Sequence, residues 1–274
     1  MSASNVTSLY TNSSWFPIAG CNNITFVNLN RLSVVPGGLF RNRTALQSVI
    51  LNETTTIYSS AFSGCTNLSS VQINGITALN SDNIFINCTK LNENGIQAAN
   101  LQYIASTHTG VFRNTGFVSI HPSTFPKLLS IGYNAFQSCV SLTSVHLSTT
   151  TTYLGRSAFG QCTALTYLSA PGVTSVYTAS NWVPTSGCTN LAFANFNGLT
   201  TVPYALFTGK EFLSVAYVQQ ATTINKSAFK DCPALKSVYM NAATTLNETA
   251  FANCTALTYI SAPALVSITT NYVF

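Results

Sequence analysis

Charged side chains are scarce in this chain of 274 residues and make up only 6% of it, whereas soluble domains usually reach roughly 25%. The eleven lysines and arginines outnumber the six acids and give a net charge of +5, but they are spread along the chain. Phosphate binding usually needs several cations on one face. We therefore expect no nucleic acid partner, and a surface kept soluble by neutral Asn, Ser and Thr.

Long apolar runs are also missing, since none approaches the ~18 residues that cross a membrane. Residues 1–16 lack the basic start and apolar core of a secretory signal. We expect no membrane span in this segment, and either an intracellular location or targeting parts outside it. Residues 1–14 are expected to form a polar segment or a partial cap.

Arrangements that support catalysis or metal binding are missing as well. The three histidines and six acids do not pair at the spacing of a nucleophile, base and orienting group. His146 lies beside Ser144 and Ser148 without an acid in the same strand. Zinc spacings such as Cys-x-x-Cys with histidine do not occur. We expect no enzyme activity, no cofactor and no metal.

What the chain does contain is an internal repeat. The segment "AFSGCTNLSSVQI", from Ala61, returns as "AFQSCVSLTSVHL" from Ala135, "AFGQCTALTYLSA" from Ala158, "AFKDCPALKSVYM" from Ala228 and "AFANCTALTYISA" from Ala250. Weaker copies fill the gaps, and such a period indicates stacked structural units. The chain is therefore expected to be one solenoid domain rather than a globular one.

The aromatic residue of each copy, here called the anchor, sets the period. Successive anchors are 22 to 24 residues apart except for one gap of 27, which gives eleven units of about 23 residues. A twelfth unit begins at its anchor and goes no further, so we expect an array over 15–274 that is truncated at the C-terminus. The anchors are Phe16, Phe40, Phe62, Phe85, Phe112, Phe136, Phe159, Val183, Phe207, Phe229, Phe251 and Phe274.

Each unit has room for two short strands and little else. Leu68, Val71 and Ile73 show the alternation of a strand. A second extended segment is marked by an apolar residue about five positions before the next anchor, as at Leu79. The stretch "AFxxC" leaves space for a helical or 3-10 turn. The pattern predicts a mainly β solenoid, a horseshoe or slab of about eleven coils.

This motif resembles the leucine-rich repeat family, and within it the BspA-like class of "AFxxCxxLxxVxL" repeats, over Trp15–Phe274. The resemblance implies a non-enzymatic adhesion module, at the cell surface or secreted, that binds a protein or glycan ligand such as a host or extracellular matrix component. An intracellular leucine-rich repeat scaffold is the alternative. Fold alone does not decide between them.

The cysteines could form disulfides, bind metal, act as nucleophiles or fill the core. All eight occupy one repeat position, so equivalent side chains run parallel instead of turning toward each other as a disulfide requires. Arg43, Thr115 and Lys210 replace the cysteine in three repeats. We predict eight free thiols in a buried column. They are Cys21, Cys65, Cys88, Cys139, Cys162, Cys188, Cys232 and Cys254.

The concave strand face is the candidate binding surface, because alternation sends every second strand residue outward. Aromatics gather there in the C-terminal half and are expected to stack as one column. Tyrosine among Ser and Asn is typical of adaptable protein-binding surfaces, but aromatic ladders also stabilise strands. Both interpretations stay open. The candidate partner-binding residues are Gln72, His146, Tyr167, Phe193, Tyr217, Tyr239 and Tyr259.

Overall fold

The computed structural model describes residues 20–104, 109–178, 182–266, 268 and 271–274. The chain divides into two compact units, Met1–Cys139 and Val140–Phe274. Phe16, His108 and the expected segment 1–14 lie outside the described residues. Each unit is built from the same repeating pair of short strands, and we call the two strands of a repeat the front and the back strand.

The first unit contains ten strands in its described residues. The front strands are β1 (Phe26–Asn28), β3 (Ser48–Ile50), β5 (Ser70–Gln72), β7 (Ile96–Gln97) and β9 (Ser119–Ile120). The back strands are β2 (Val34–Val35), β4 (Thr56–Ile57), β6 (Ala78–Leu79), β8 (Tyr103–Ile104) and β10 (Ser130–Ile131).

The second unit contains eleven strands over the part of the chain described there. The front strands are β11 (Ser144–His146), β13 (Tyr167–Ser169), β15 (Phe193–Asn195), β17 (Val215–Tyr217), β19 (Ser237–Tyr239) and β21 (Tyr259–Ser261). The back strands are β12 (Tyr153–Leu154), β14 (Ser175–Val176), β16 (Thr201–Val202), β18 (Thr223–Ile224) and β20 (Thr245–Leu246).

Strands pair in parallel with the equivalent strand of the next repeat. In the first unit the orders are β1-β3-β5-β7, β2-β4 and β6-β8-β10, and in the second β11-β13-β15-β17-β19-β21, β12-β14 and β16-β18-β20. Equivalent residues face each other, as Val49 faces both Val27 and Val71. The described front strands number eleven, and the predicted fold class, a mainly β leucine-rich-repeat solenoid, is confirmed.

The "AFxxC" stretch forms turns, and the described residues contain no α or 3-10 helix, unlike the helical turn expected from the sequence. The reason is backbone conformation, since the residues two before and two after a phenylalanine anchor have positive φ, as Ser60 (59°) and Gly64 (73°) do around Phe62. Left-handed residues interrupt right-handed helices. At Gly64 a side chain would also collide with Asn42, because an added Cβ lies 2.3 Å from its Oδ1.

These anchor turns hydrogen-bond to the next coil, which makes them a third ladder beside the two strand rows. Three backbone amides of a regular turn donate to carbonyl groups of the following repeat: the amide of the anchor itself, that of the residue two positions before it and that of the residue two positions after it. Around Phe40 the bonds join Gly38 to Ser59, Phe40 to Ala61 and Asn42 to Ser63, at 3.0, 2.8 and 2.7 Å. Backbone groups at the turn are therefore satisfied between coils, as buried groups must be.

Anchor phenylalanines form a stacked core in each unit. In the first unit the ring centroids of Phe40, Phe62, Phe85, Phe112 and Phe136 follow one another at 5.1, 5.3, 5.4 and 5.3 Å. In the second unit the rings of Phe207, Phe229 and Phe251 lie 5.0 and 5.2 Å apart. Rings buried to this degree dominate the energy of a core.

One predicted anchor is wrong. In regular repeats the amide of an anchor donates to the carbonyl just before the next anchor. The amide of Phe159 donates to Pro184, so the next anchor is Thr185 and not Val183. Gly187, two residues on, has the positive φ (74°) of that position. The extra residues of this repeat therefore lie before its anchor, and a threonine interrupts the phenylalanine stack.

Candidate functional site

The cysteine column is structural. Six of the thiols donate a hydrogen bond to the anchor carbonyl of the preceding repeat, as Cys65 does to Phe40 at 3.0 Å. The other pairs are Cys88 with Phe62, Cys139 with Phe112, Cys188 with Phe159, Cys232 with Phe207 and Cys254 with Phe229, at 3.0 to 3.2 Å. Burial raises the pKa of Cys65 to about 12 and that of Cys188 to about 11.

All eight cysteines are free, but the column does not bury all of them. Cys21 is exposed and Cys254 is half-buried, and the other six are buried. Cys21 is the second of the described residues, at the N-terminal edge of the described array. Cys254 lies in the last complete repeat and lines an open cleft of about 620 Å³ beside Phe251 and Phe274. The prediction of eight buried thiols is thus wrong for these two.

We expect a three-step reaction of the native protein with an aromatic disulfide reagent such as DTNB. Cys21 should react at once and Cys254 more slowly, whereas the six buried thiols should react only after unfolding, because burial keeps them protonated and inaccessible. The colour released before and after adding denaturant measures this. More than two fast thiols in the native protein, or far fewer than eight after unfolding without reductant, would contradict the assignment.

The front strands of the second unit present a run of aromatic rings, here called the aromatic run. Its members are His146, Tyr167, Phe193, Tyr217, Tyr239 and Tyr259. The middle residue of each strand is buried or half-buried, and the flanking residues point outward. Successive ring centroids lie 4.5, 4.3, 5.7, 4.5 and 5.5 Å apart. The rings touch from the first strand to the last.

The run is continuous but does not follow one strand position. Tyr167 is opposite Phe193, whereas Tyr217 is opposite Asn195 and Tyr239. The sequence pattern predicts a single column because it shows only how the strands are spaced. It does not show that aromatic rings also contact diagonal neighbours on the next strand, which lie ~7–8 Å away. The chain of rings therefore crosses diagonally between the two outward strand positions three times: between His146 and Tyr167, between Phe193 and Tyr217, and between Tyr239 and Tyr259.

The rings divide into two stacked blocks. His146, Tyr167 and Phe193 form one, with interplanar angles of 26° and 1°, and Tyr217 and Tyr239 form the other at 4°. The blocks are tilted by 45° to each other. Within a block the ring faces cover one another, so the outward parts are ring edges and hydroxyl groups. Such edges carry the positive side of the ring quadrupole.

The aromatic run carries little charge. No Asp, Glu, Lys or Arg occurs in the six front strands of the second unit. Partial removal from water, together with the nearby Tyr217 and Tyr259 side chains, raises the pKa of Tyr239. The phenol of Tyr239 is therefore neutral at physiological pH, and the surface offers apolar edges with hydroxyl donors and acceptors.

Gln72 lies apart from the aromatic run. It is on β5 in the first unit, half-buried, opposite Ile50 and Gln97, and its Oε1 accepts a long bond of 3.4 Å from Asn52. Asn52 in turn is bonded to Asn74, whose amide donates to it at 3.0 Å. This part of the front face is polar, and the structure brings together only the other six candidate residues.

Metal-ligand clusters and membrane-spanning helices are absent from the described residues. No group of three or more His, Cys, Asp or Glu side chains there could hold a metal ion. None of the described segments forms a helix long and apolar enough to span a membrane. The described coils are paired parallel strands around a phenylalanine stack. They form a leucine-rich repeat solenoid, a fold typical of non-enzymatic interaction proteins.

The chain belongs to the BspA type leucine-rich repeat family, whose repeat region matches residues 11–124, 106–236 and 185–274. No curated protein sequence matches it. Among solved structures it is similar to a leucine-rich repeat protein from Bacteroides ovatus, with 20% identity, coverage of 91% of this chain and 76% of that one, and a TM-score of 0.45. It is also similar to a leucine rich cell surface protein from Faecalibacterium prausnitzii, with 19% identity, coverage of 90% and 80%, and a TM-score of 0.36.

Proposed function

We propose that this protein is a non-enzymatic interaction module, at the cell surface or secreted, that binds a partner protein through the aromatic run. The observation that supports it is a run of six touching rings on the outward side of one strand row. Tyrosine in such a row supplies large rigid contact area with a polar tip, which favours protein interfaces. Tyr259, with half of its surface exposed, ends the run.

The stacking favours a protein over a glycan as the partner. A sugar ring docks on the flat face of an aromatic side chain, but Tyr167 and Phe193 are parallel at 4.3 Å and Tyr217 and Tyr239 at 4.5 Å, so these faces are occupied. The exposed edges and hydroxyls instead suit backbone and side-chain groups of a protein. With no fixed charge in the six strands, binding gains little from electrostatic steering.

An array experiment tests this proposal. The purified chain is applied to immobilised extracellular matrix and cell-surface proteins and, in parallel, to a glycan array. We expect hits among proteins whose binding changes little between low and high salt, because screening acts on charges. Hits on glycans alone, or protein hits lost at moderate salt, would contradict the proposed mode. A protein hit that survives loss of the aromatic rings would show that another surface binds.

A further inference from the structure

Lys210 occupies the cysteine position of its repeat and is buried, with only 6% of its surface exposed. Its Nζ donates a hydrogen bond to the carbonyl of Thr185 at 2.8 Å. Thr185 is the anchor of the preceding repeat, so the lysine reaches the same carbonyl that a thiol reaches in six other repeats. The hydrogen bond therefore does not by itself require an amine.

The threonine anchor explains how a lysine fits. A threonine takes less volume than the phenylalanine found in other repeats, so the longer lysine chain has space next to it. The hydroxyl of Thr185 is itself buried without a hydrogen-bond partner among the described residues. Buried polar atoms are nearly always paired in folded proteins. The buried pair of Thr185 and Lys210 therefore differs from an ordinary part of the core, in which every buried polar atom has a hydrogen-bond partner.

No described ion pair neutralises Lys210, since the one found in this part of the chain joins Lys226 to Glu248. Burial lowers the pKa of Lys210, and the nearby Cys188 and Cys232 only partly oppose the shift. A desolvated lysine is more often unprotonated than an exposed one, and the unprotonated amine is the nucleophilic form.

Lys210 also lines a cleft of about 380 Å³, which opens between neighbouring anchor turns of the second unit. Other residues of the lining include Tyr204, Thr208, Ser227 and Lys230. Ligand sites are concave and combine apolar walls with a few polar groups. The cleft therefore brings a small molecule into contact with Lys210, one of the residues of its wall.

We propose that this cleft is a carbonyl-binding site in which Lys210 forms an imine with a small aldehyde. The lone pair of the neutral Nζ attacks the carbonyl carbon, both amine protons pass to the former carbonyl oxygen, and that oxygen leaves as water while the C=N bond forms. The reaction needs no oxidant or reductant, and it is reversible by hydrolysis. The hydroxyl groups of Thr208 and Tyr204 provide polar contacts in the same lining.

Labelling of the folded chain tests the proposal. Salicylaldehyde is added at neutral pH with cyanoborohydride, which traps imines but not thiol adducts, and modified peptides are quantified by mass spectrometry. We expect Lys210 to be labelled several-fold more than the exposed Lys236. Lys210→Met should remove that label and keep the aliphatic packing, whereas Lys236→Met should leave it unchanged.

Labelling of the unsubstituted chain alone is decisive, so the test does not depend on the folding of a variant. If Lys210 is labelled no more than Lys236 in the folded protein, or only after denaturation, the lysine is a space-filling residue and the proposal is wrong. This outcome would leave the proposed protein-binding role of the aromatic run unaffected, because that run lies on the front strands.

Discussion

Replacing Phe112 with alanine should lower the free energy of unfolding of the first unit by about 3–5 kcal/mol, the usual loss for a buried phenylalanine. Phe112 is fully buried. Its ring stacks between Phe85 and Phe136 at 5.4 and 5.3 Å and meets Phe117 edge-on at 5.5 Å. Removing it leaves a cavity in the middle of the stack, where neighbours on both sides lose contacts. Denaturant titration followed by circular dichroism measures the change.

Tyr58 provides a matched control in the same unit, because 53% of its surface is exposed. Tyr58→Ala should cost no more than about 0.5 kcal/mol, as surface substitutions usually do. Phe112→Leu should lie between the two variants, since it keeps most of the apolar volume. A loss below about 1 kcal/mol for Phe112→Ala would contradict a stacked core, because even an average substitution costs that much.

Changing Tyr217 and Tyr239 together to serine should weaken binding to a partner protein by at least about thirtyfold, as loss of a central hot spot does. The two rings form a parallel pair near the middle of the aromatic run, so the double change removes a block of contact area and two hydroxyls. The dissociation constant for a protein found on the array, measured by surface plasmon resonance, gives the result.

Stability must be measured on the same variant, because a stacked aromatic pair also contributes about 0.5–1.5 kcal/mol to folding. Tyr204→Ser is the control, since Tyr204 is an exposed tyrosine of the second unit outside the strands. It should bind the partner normally. If the double variant binds as tightly as the unsubstituted chain while its stability falls, the rings are structural and the binding surface lies elsewhere.

Much of the fold follows from spacing alone. Recurrence of "AFxxCxxL" every 22 to 24 residues defines the coils, and the alternation around Val71 predicts which strand residues are buried. Both predictions succeed because each repeat packs on neighbours of the same structure, so the regular repeats show how an irregular repeat between them is arranged. The free thiols followed from the same reasoning, since identical positions in stacked coils face the same way.

What the spacing could not predict depends on contacts that vary from repeat to repeat. Alignment of the repeats on the aromatic position places an anchor at Val183, whereas the hydrogen bonds between coils place the anchor at Thr185. Lys210 is visible in the sequence as a departure from the motif. That its amine bonds to the carbonyl of Thr185 is known only from the structure. The motif places Cys21 and Cys254 at the same position as the six buried cysteines, and it carries no information on how far each of them is exposed. Whether the aromatic run binds a partner stays a prediction.

The anchor turns bond to the following coil rather than within themselves, and this has an evolutionary consequence. A coil could be duplicated or deleted whole, and the coils on either side would meet with the same amides, carbonyls and thiols opposite each other. Changes of a few residues are absorbed only where they fall outside the turn, as before Thr185. The number of coils, and with it the length of the front strand row, can thus change in steps of one repeat.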